Sequence, residues 1–456
     1  MASSDGDTRP LCFVLMPFGT KTDPGSGVTI DFDDVYRQII GPAIEGAGLK
    51  PIRADEEQVG GIIHKPMYER LVLCEYAVAD LTTANANVYY ELGIRHAVRP
   101  WSTVLIFAEG VRLPFDLEPM RGLAYHLGST GSATAIGDDQ GRLAEQLRAA
   151  RQESTDSPLF QLLTDLPKPD ISRLRTDVFR SRVEYSSRMQ ERLTEARTTG
   201  ADAVGRIRDE LGNLGDHESA VVVDLLLSFR AVSAWREMVS LVERMPPALA
   251  RATLVREQYA LALNRAGDGQ RAERVLLDLI AERGPSSESY GILGRVYKDR
   301  WDTARAAGKK ILAQGELDKA IDAYVKGFES DWRDAYPGIN AVQLMELRAP
   351  PDPRRAELLP VVRYSVRRRI ASTQPDYWDY ATLLELAMLD RDEEMAAGLL
   401  PATVAAVREG WEAETTLKTL QRLRQARSEQ GADVPQWMIE VEDVLEERYR
   451  AGGSAR

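Results

Sequence analysis

The 456-residue sequence has only two cysteines, Cys12 and Cys74, and both lie in or beside apolar stretches. Two cysteines in such surroundings are expected to be small buried apolar side chains in a reducing compartment. They do not indicate a framework of disulfide bonds. No apolar run approaches the roughly 18 residues that suggest a membrane span. The first seven residues are polar and acidic, which argues against a secretory signal peptide. These absences predict a cytoplasmic protein that does not contact a membrane.

Basic charge is also scarce, because 58 lysines and arginines face 70 acidic residues and the formal net charge is -12. Nucleic-acid binding requires a basic surface that neutralises phosphates, so this balance argues against a nucleic-acid partner. The four histidines have no metal-ligand spacing with one another or with the cysteines. We therefore expect neither a metal site nor a cofactor.

Apolar runs of strand length alternate with helical patterns over residues 10–155. The run at residues 11–16 is apolar on both faces, as in a central strand of a parallel sheet. Helical spacing between the strands predicts right-handed crossovers, and hence a parallel-sheet α/β domain of Rossmann or flavodoxin type. Residues 1–9 are predicted to be a disordered lead-in, and residues 21–30 a mobile loop. The other strands are predicted at residues 49–54, 76–79, 103–108 and 123–126.

Beyond Ser154 the strand signals stop, and residues 156–170 are predicted to be a linker. Residues 171–456 consist of helical segments separated by Gly- and Pro-containing turns. Such a pattern is typical of an α-solenoid of tetratricopeptide type, here with roughly five to seven repeats. We expect this domain to bind protein partners, and self-association is left open. Small residues and aromatics typical of helix-pair repeats recur at residues 257–263, 289–298 and 317–328.

The stretch at residues 79–93 organises the N-terminal domain. It contains a strand that ends at Asp80, a loop rich in Thr and Asn, and a helix that carries Glu91 and ends at about Val98. Asn87 is the predicted N-cap of that helix, because Asn side chains accept hydrogen bonds from free backbone N–H groups. Open α/β sheets bind their ligands at the carboxyl edge of the strands. The stretch is therefore the first candidate for a functional site.

Parts of the helical domain resemble the central regulatory region of the apoptosis signal-regulating kinases. That resemblance implies a tetratricopeptide-like TRAF-binding domain. The stretch from Ala77 to Arg95 is similar to the segment that precedes this region in those kinases. The chain has no Gly-rich loop with a catalytic Lys, no His-Arg-Asp and no Asp-Phe-Gly, so the resemblance implies a regulatory scaffold and not a kinase. The segments that carry it are residues 296–300, 318–321, 326–329 and 336–340.

The N-terminal domain resembles the nucleoside 2-deoxyribosyltransferase and TIR-like group. Met16, Pro17 and Phe18 are similar to the turn after the first strand in that group, and residues 80–93 are similar to the stretch that carries its catalytic glutamate. In that group the glutamate attacks or stabilises the anomeric carbon of a nucleoside or of the NAD ribose. The resemblance implies that Glu91 is catalytic. Phe18, Gly19, Asp80, Asn85 and Asn87 are the candidate substrate-binding residues.

Each of these side chains also has a purely structural interpretation. Glu91 either stabilises an oxocarbenium-like ribose or pairs with Arg95 one helical turn later. Asp80 either binds a ribose hydroxyl or caps its own loop. Phe18 either stacks on a base or belongs to the core.

Two hypotheses of function follow. In the first, a cytoplasmic signalling or defence protein acts on the N-glycosidic bond of a nucleotide such as NAD, and its helical repeats bind protein partners. In the second, the protein is a non-enzymatic regulatory scaffold whose α/β domain only binds a ligand or a partner.

Overall fold

The computed structural model contains two compact units, of which one comprises Met1–Val232 and Met245–Ala252, and the other Ser233–Arg244 and Thr253–Arg456. The lead-in predicted at residues 1–9 lies outside the described residues except for Arg9. The structure describes residues 9–23, 28–53, 64–111, 122–128, 130–152, 155–167, 169, 176–372, 375–408 and 410–453.

A five-stranded parallel sheet forms the centre of the first unit, and its strand order is β4-β1-β5-β6-β7. All five residues of β1 are buried, as expected for a central strand that is apolar on both faces. The parallel sheet predicted from the sequence is thus confirmed, with the flavodoxin-like order. The strands are β1 (Leu11–Leu15), β2 (Thr20–Thr22), β3 (Thr29–Asp31), β4 (Lys50–Arg53), β5 (Tyr76–Asp80), β6 (Thr103–Ala108) and β7 (Gly122–Tyr125).

The segment predicted to be a mobile loop at residues 21–30 includes parts of two short strands, which lie on either side of residues 24–27. Strands β2 and β3 pair antiparallel, and the hydroxyls of Thr22 and Thr29 lie 3.1 Å apart. Ile30 in β3 is buried. The prediction was wrong here because two three-residue polar strands give no alternation that a sequence reading can detect.

Helices cover both faces of this sheet and continue beyond it. The first helical stretch contains a π-helical segment, Tyr36–Ile40, between α1 and α2. The linker predicted at residues 156–170 contains a short helix, α6. The helices up to residue 232 are α1 (Phe32–Val35), α2 (Gly41–Gly46), α3 (His64–Leu73), α4 (Ala86–Val98), α5 (Ile136–Ala149), α6 (Pro158–Leu162), α7 (Thr176–Thr199), α8 (Ala201–Leu211) and α9 (Ser219–Ala231).

The second unit consists of helices, and consecutive helices from α12 onward pack as pairs joined by short turns. This arrangement confirms the predicted all-α, tetratricopeptide-like domain. Among the described residues, no helix is both long enough and apolar enough to cross a membrane. The remaining helices are α10 (Trp235–Glu243), α11 (Pro247–Ala250, in the first unit), α12 (Thr253–Arg265), α13 (Gly269–Arg283), α14 (Ser287–Ala306), α15 (Lys310–Ser330), α16 (Ala335–Leu347), α17 (Arg355–Ser372), α18 (Tyr377–Asp390), α19 (Glu393–Ala405), α20 (Gly410–Glu429) and α21 (Gln436–Gly453).

The pair α14 and α15 shows why small residues recur in the repeats. A Cβ atom on Gly294 would lie 2.8 Å from the ring of Tyr324, which is fully buried. The two helices can therefore approach closely only because position 294 has no side chain. This contact confirms that the small residues and aromatics found at residues 289–298 and 317–328 pack helix pairs together.

Both cysteines are free and buried, as predicted. Burial raises the pKa of the Cys12 and Cys74 thiols well above the usual range, so both act as small apolar side chains at neutral pH.

We expect Gly294→Ala to lower the free energy of unfolding by about 1–3 kcal/mol, because the added methyl group overpacks the contact with Tyr324. Chemical denaturation followed by tryptophan fluorescence measures this. The matched control is Gly315→Ala in α15, where nothing lies within 4 Å of an added Cβ and the gain in helix propensity should stabilise by roughly 0.5–1 kcal/mol. Equal effects at the two positions would contradict this packing.

Candidate functional site

The candidate site lies at the carboxyl ends of β1 and β5, which are neighbours in the sheet. The strand order changes direction between them, since β1 connects toward β4 on one side and β5 toward β6 on the other. Ligands of open α/β sheets bind in the crevice at such a switch point. All six predicted site residues lie on the two segments that leave this edge, namely Phe18, Gly19, Asp80, Asn85, Asn87 and Glu91.

The turn after β1 is held by charged residues that the sequence did not reveal. Gly19 has a φ of +60° and donates its N–H to Asp33 Oδ1 at 3.2 Å. The guanidinium of Arg53 pairs with the same carboxylate and lies 5.2 Å from the ring centre of Phe18. Phe18 is therefore half-buried beneath a cation, and is not an apolar core residue. Although burial opposes it, hydrogen bonding to Arg53 and Gly19 lowers the pKa of Asp33.

Asp80 is fully buried and caps its own loop. Its Oδ1 accepts hydrogen bonds from the backbone N–H of Thr82 at 3.0 Å and from the Thr82 hydroxyl. Its Oδ2 accepts from the Tyr125 hydroxyl at 3.0 Å. Burial raises the pKa of Asp80 to about 6, although these hydrogen bonds oppose the shift. The carboxylate thus ties β5 to β7, and both of its oxygens have protein partners.

Asn85, and not Asn87, is the N-cap of α4. Its side-chain oxygen accepts from the backbone N–H groups of Asn87 at 2.9 Å and Val88 at 3.3 Å. The prediction of Asn87 was wrong because both Asn residues suit a cap, and the left-handed Ala84, with φ +50°, turns the chain into the helix two residues earlier. Asn87 is exposed in the first turn.

This earlier start places Glu91 beyond the first turn of α4, where the helix dipole has little effect. Glu91 is half-buried, and it has no hydrogen-bond or ion-pair partner among the residues that the structure describes. Burial raises its pKa to about 7. A carboxylate with this pKa is present in both the charged and the neutral form at neutral pH.

The ion pair between Glu91 and Arg95 is absent from the described part of the chain, because Arg95 is directed inward. Its guanidinium is fully buried and donates to three backbone carbonyls, those of Leu71 (2.9 Å), Cys74 (2.7 Å) and Glu75 (3.1 Å). These carbonyls belong to the end of α3 and the start of β5. The planar guanidinium group of an arginine has five N–H donors and can satisfy such a cluster, whereas the ammonium group of a lysine cannot. Arg95 therefore fixes α4 against the sheet.

Arg95→Met is expected to lower the free energy of unfolding by about 3–5 kcal/mol, because three buried carbonyls lose their donor. Arg95→Lys should recover only part of that loss. Urea denaturation monitored by circular dichroism measures both values. The exposed Arg148→Met on α5 is the control, and comparable losses at positions 95 and 148 would contradict this role.

Residues 88–440 match the family described as the MAP3K TRAFs-binding domain. The matched region begins in α4 and extends into α21, so it covers the helical unit and part of the candidate site. Because it includes well over half of the sequence, the chain belongs to this family of regulatory domains.

Curated relatives agree with this assignment. The chain is 29% identical over 204 residues to mitogen-activated protein kinase kinase kinase 15 of Mus musculus, a match that covers 42% of the chain and 15% of the relative. It is 26% identical over 239 residues to the kinase nsy-1 of Caenorhabditis elegans, which covers 48% of the chain and 16% of the relative. The chain thus spans less than a fifth of the length of these relatives.

Two solved structures are similar to parts of this chain. A tetratricopeptide protein of Thermus thermophilus matches with a TM-score of 0.34 and 14% identity, over 44% of this chain and 99% of its own. A tetratricopeptide repeat protein of Parabacteroides merdae matches with a TM-score of 0.34 and 12% identity, over 58% of this chain and 98% of its own. Scores this low do not bear on function.

Proposed function

We propose that this regulatory protein binds protein partners through its helical unit and acts on the N-glycosidic bond of a nucleotide such as NAD through its α/β unit. The observation that carries the enzymatic part is Glu91, a half-buried carboxylate without a partner among the described residues, on the helix that follows a switch-point strand. An unpaired carboxylate at this depth is costly unless a ligand uses it.

Glu91 would act on the anomeric carbon of the ribose. With NAD, the electrons of the C–N bond pass to the nicotinamide nitrogen, so that nicotinamide leaves as a neutral molecule. The ionised Glu91 carboxylate stabilises the resulting oxocarbenium-like ribose or bonds to its anomeric carbon. Water then completes hydrolysis, or a second base completes transfer. In this proposal Phe18, in the turn after β1, would stack on the base, and Arg53, paired with Asp33, would support its ring from the other side.

The ionised form of Glu91 is the one that this chemistry requires. Since burial raises its pKa to about 7, the ionised fraction increases as pH rises through 7. We therefore expect kcat/KM for NAD to increase with pH and to level off above about pH 8. A steady-state pH profile between 5 and 9 tests this, and a rate that is flat or falls across pH 7 would exclude the ionised carboxylate.

Glu91→Gln should reduce NAD and nucleoside turnover by about 10²–10⁴-fold, because the amide can neither attack nor stabilise the charge. The matched control is Glu145→Gln on the exposed face of α5, which should have wild-type activity. Product formation by chromatography measures both, with protein partners added in parallel. No turnover by the wild type under any of these conditions would reject the enzymatic part.

Thermal denaturation distinguishes loss of catalysis from loss of the fold. A folded-state pKa above the ordinary value of 4.5 means that ionisation of Glu91 destabilises the fold as pH rises through 7. At pH 8 Glu91→Gln should therefore unfold at a temperature equal to or above that of the wild type.

The non-enzymatic scaffold is the second candidate. Asp80 supports it, because both oxygens of this carboxylate already have protein partners and serve the fold. Here the α/β unit would only bind a ligand or partner. A cellular signalling assay distinguishes the two candidates. If Glu91→Ala abolishes signalling while ligand and partner binding stay intact, the scaffold is contradicted. If only substitutions on the surface of the helical unit reduce signalling, the scaffold is supported.

A further inference from the structure

The helix pair α14 and α15 extends past the preceding pair at its turn. Arg300 donates to the carbonyl of Gly269, the first residue of α13, at 2.7 Å. The turn between α12 and α13 is therefore level with Arg300. From there α14 continues to Ala306, which adds about 9 Å of helix.

The same pair also extends past the pair that follows it. Arg348, directly after α16, pairs with Asp318 of α15 at 3.1 Å. Since α15 begins at Lys310, it projects about 12 Å beyond this contact. We call residues 301–315, which lie beyond the turns on both sides, the tip.

Two aliphatic side chains of the tip face solvent. Ile311 is 93% exposed and Leu312 is 52% exposed, and no other large apolar side chain among the described residues is as exposed as Ile311. The tip does not need them for its own packing, because Trp301, Ala304 and Ala313 are buried between the two helices. The tip thus presents apolar surface that the fold does not use.

The tip is also cationic in a chain whose formal net charge is -12. Arg305, Lys309 and Lys310 are all exposed, and residues 303–315 contain no acidic residue. None of the three has an ion pair among the described residues, and the guanidinium of Arg305 lies over the ring of Trp301 at 5.2 Å from its centre.

The one acid at the base of the tip does not neutralise these cations. Asp302 pairs with Arg422 of α20 at 3.4 Å. The electrostatic field of the tip therefore favours an anionic occupant.

We propose that the tip binds the surface of a membrane that contains anionic lipids. Ile311 and Leu312 would enter the boundary between headgroups and acyl chains, and Arg305, Lys309 and Lys310 would lie beside the lipid phosphates. A projecting tip favours lipid over an acidic protein, because lipids yield to a convex surface whereas a protein must offer a matching concave one. This inference is independent of Glu91 and of the protein partners of the helical unit.

The sequence predicted no membrane contact, since it has no apolar run long enough to span a bilayer. Binding at the surface needs no such run, because a few apolar side chains act together with cations. The formal net charge is a sum over the whole chain and conceals a short basic segment that projects from it.

The test measures co-sedimentation of the full chain with lipid vesicles. One set of vesicles is phosphatidylcholine alone, and the other contains about 30% phosphatidylserine. The chain should sediment with the anionic vesicles and not with the neutral ones, and binding should weaken as the salt concentration rises.

Substitutions in the tip should weaken this binding without unfolding the chain, because the side chains are exposed. Lys309→Gln and Lys310→Gln should each reduce the affinity about fivefold, and Ile311→Asn about three- to tenfold. The matched controls are Lys326→Gln on α15 and Leu277→Asn on α13. Both side chains are exposed outside the tip, so these variants should bind as the wild type does.

A fluorescent label distinguishes insertion from electrostatic attraction alone. An environment-sensitive dye is attached to Ile311→Cys, while the native Cys12 and Cys74 are buried and should not react. The emission of this dye should shift to shorter wavelength on anionic vesicles. The same dye on Leu277→Cys should show no shift.

Three results would overturn the proposal. One is the absence of binding to anionic vesicles, and another is binding that the tip variants do not change. The third is binding of soluble poly-glutamate, but not of vesicles, that depends on Lys309 and Lys310; this would assign the tip to an acidic protein surface instead.

Discussion

The hydrogen bonds of Arg95 are the interaction on which the α/β unit depends. One guanidinium satisfies three carbonyls where α3 ends and β5 begins, and so sets the position of α4 against the sheet. Glu91 lies one turn earlier on that helix, half-buried and without a partner among the described residues. A residue expected to neutralise Glu91 instead holds the helix that carries it. Within the described part of the chain, Glu91 therefore lacks the Arg95 partner because Arg95 stabilises the fold instead.

In the helical unit, apolar packing and polar contacts involve different side chains of the same helices. Apolar and small residues, such as Gly294 against Tyr324, bring neighbouring helices close together. Polar side chains join the same helices elsewhere: Lys298 of α14 donates to Asn340 of α16, and Gln343 of α16 donates to Glu385 of α18. Lys298 and Glu385 also attract each other electrostatically.

Periodicity and strand length predicted the parallel sheet, the helical domain and the edge at which the candidate site lies. They could not predict which side chains meet there. Arg53 reaches Phe18 because β4 and β1 are neighbours, and Tyr125 reaches Asp80 past the one intervening strand, β6. Both contacts depend on the order of the strands in the sheet. The N-cap was misplaced by two residues since Asn85 and Asn87 are chemically equivalent, and the hairpin β2–β3 was missed because its strands are short and polar.

The central claim is that Glu91 faces the ribose of a bound nucleotide at the switch point between β1 and β5. The most direct measurement is a crystal structure of the Glu91→Gln variant soaked with NAD. The account predicts that the anomeric carbon lies about 3–3.5 Å from the side chain at position 91, with the nucleotide between the loops that follow the two strands. A nucleotide bound elsewhere, or a side chain at position 91 that remains covered while NAD is bound, would contradict it.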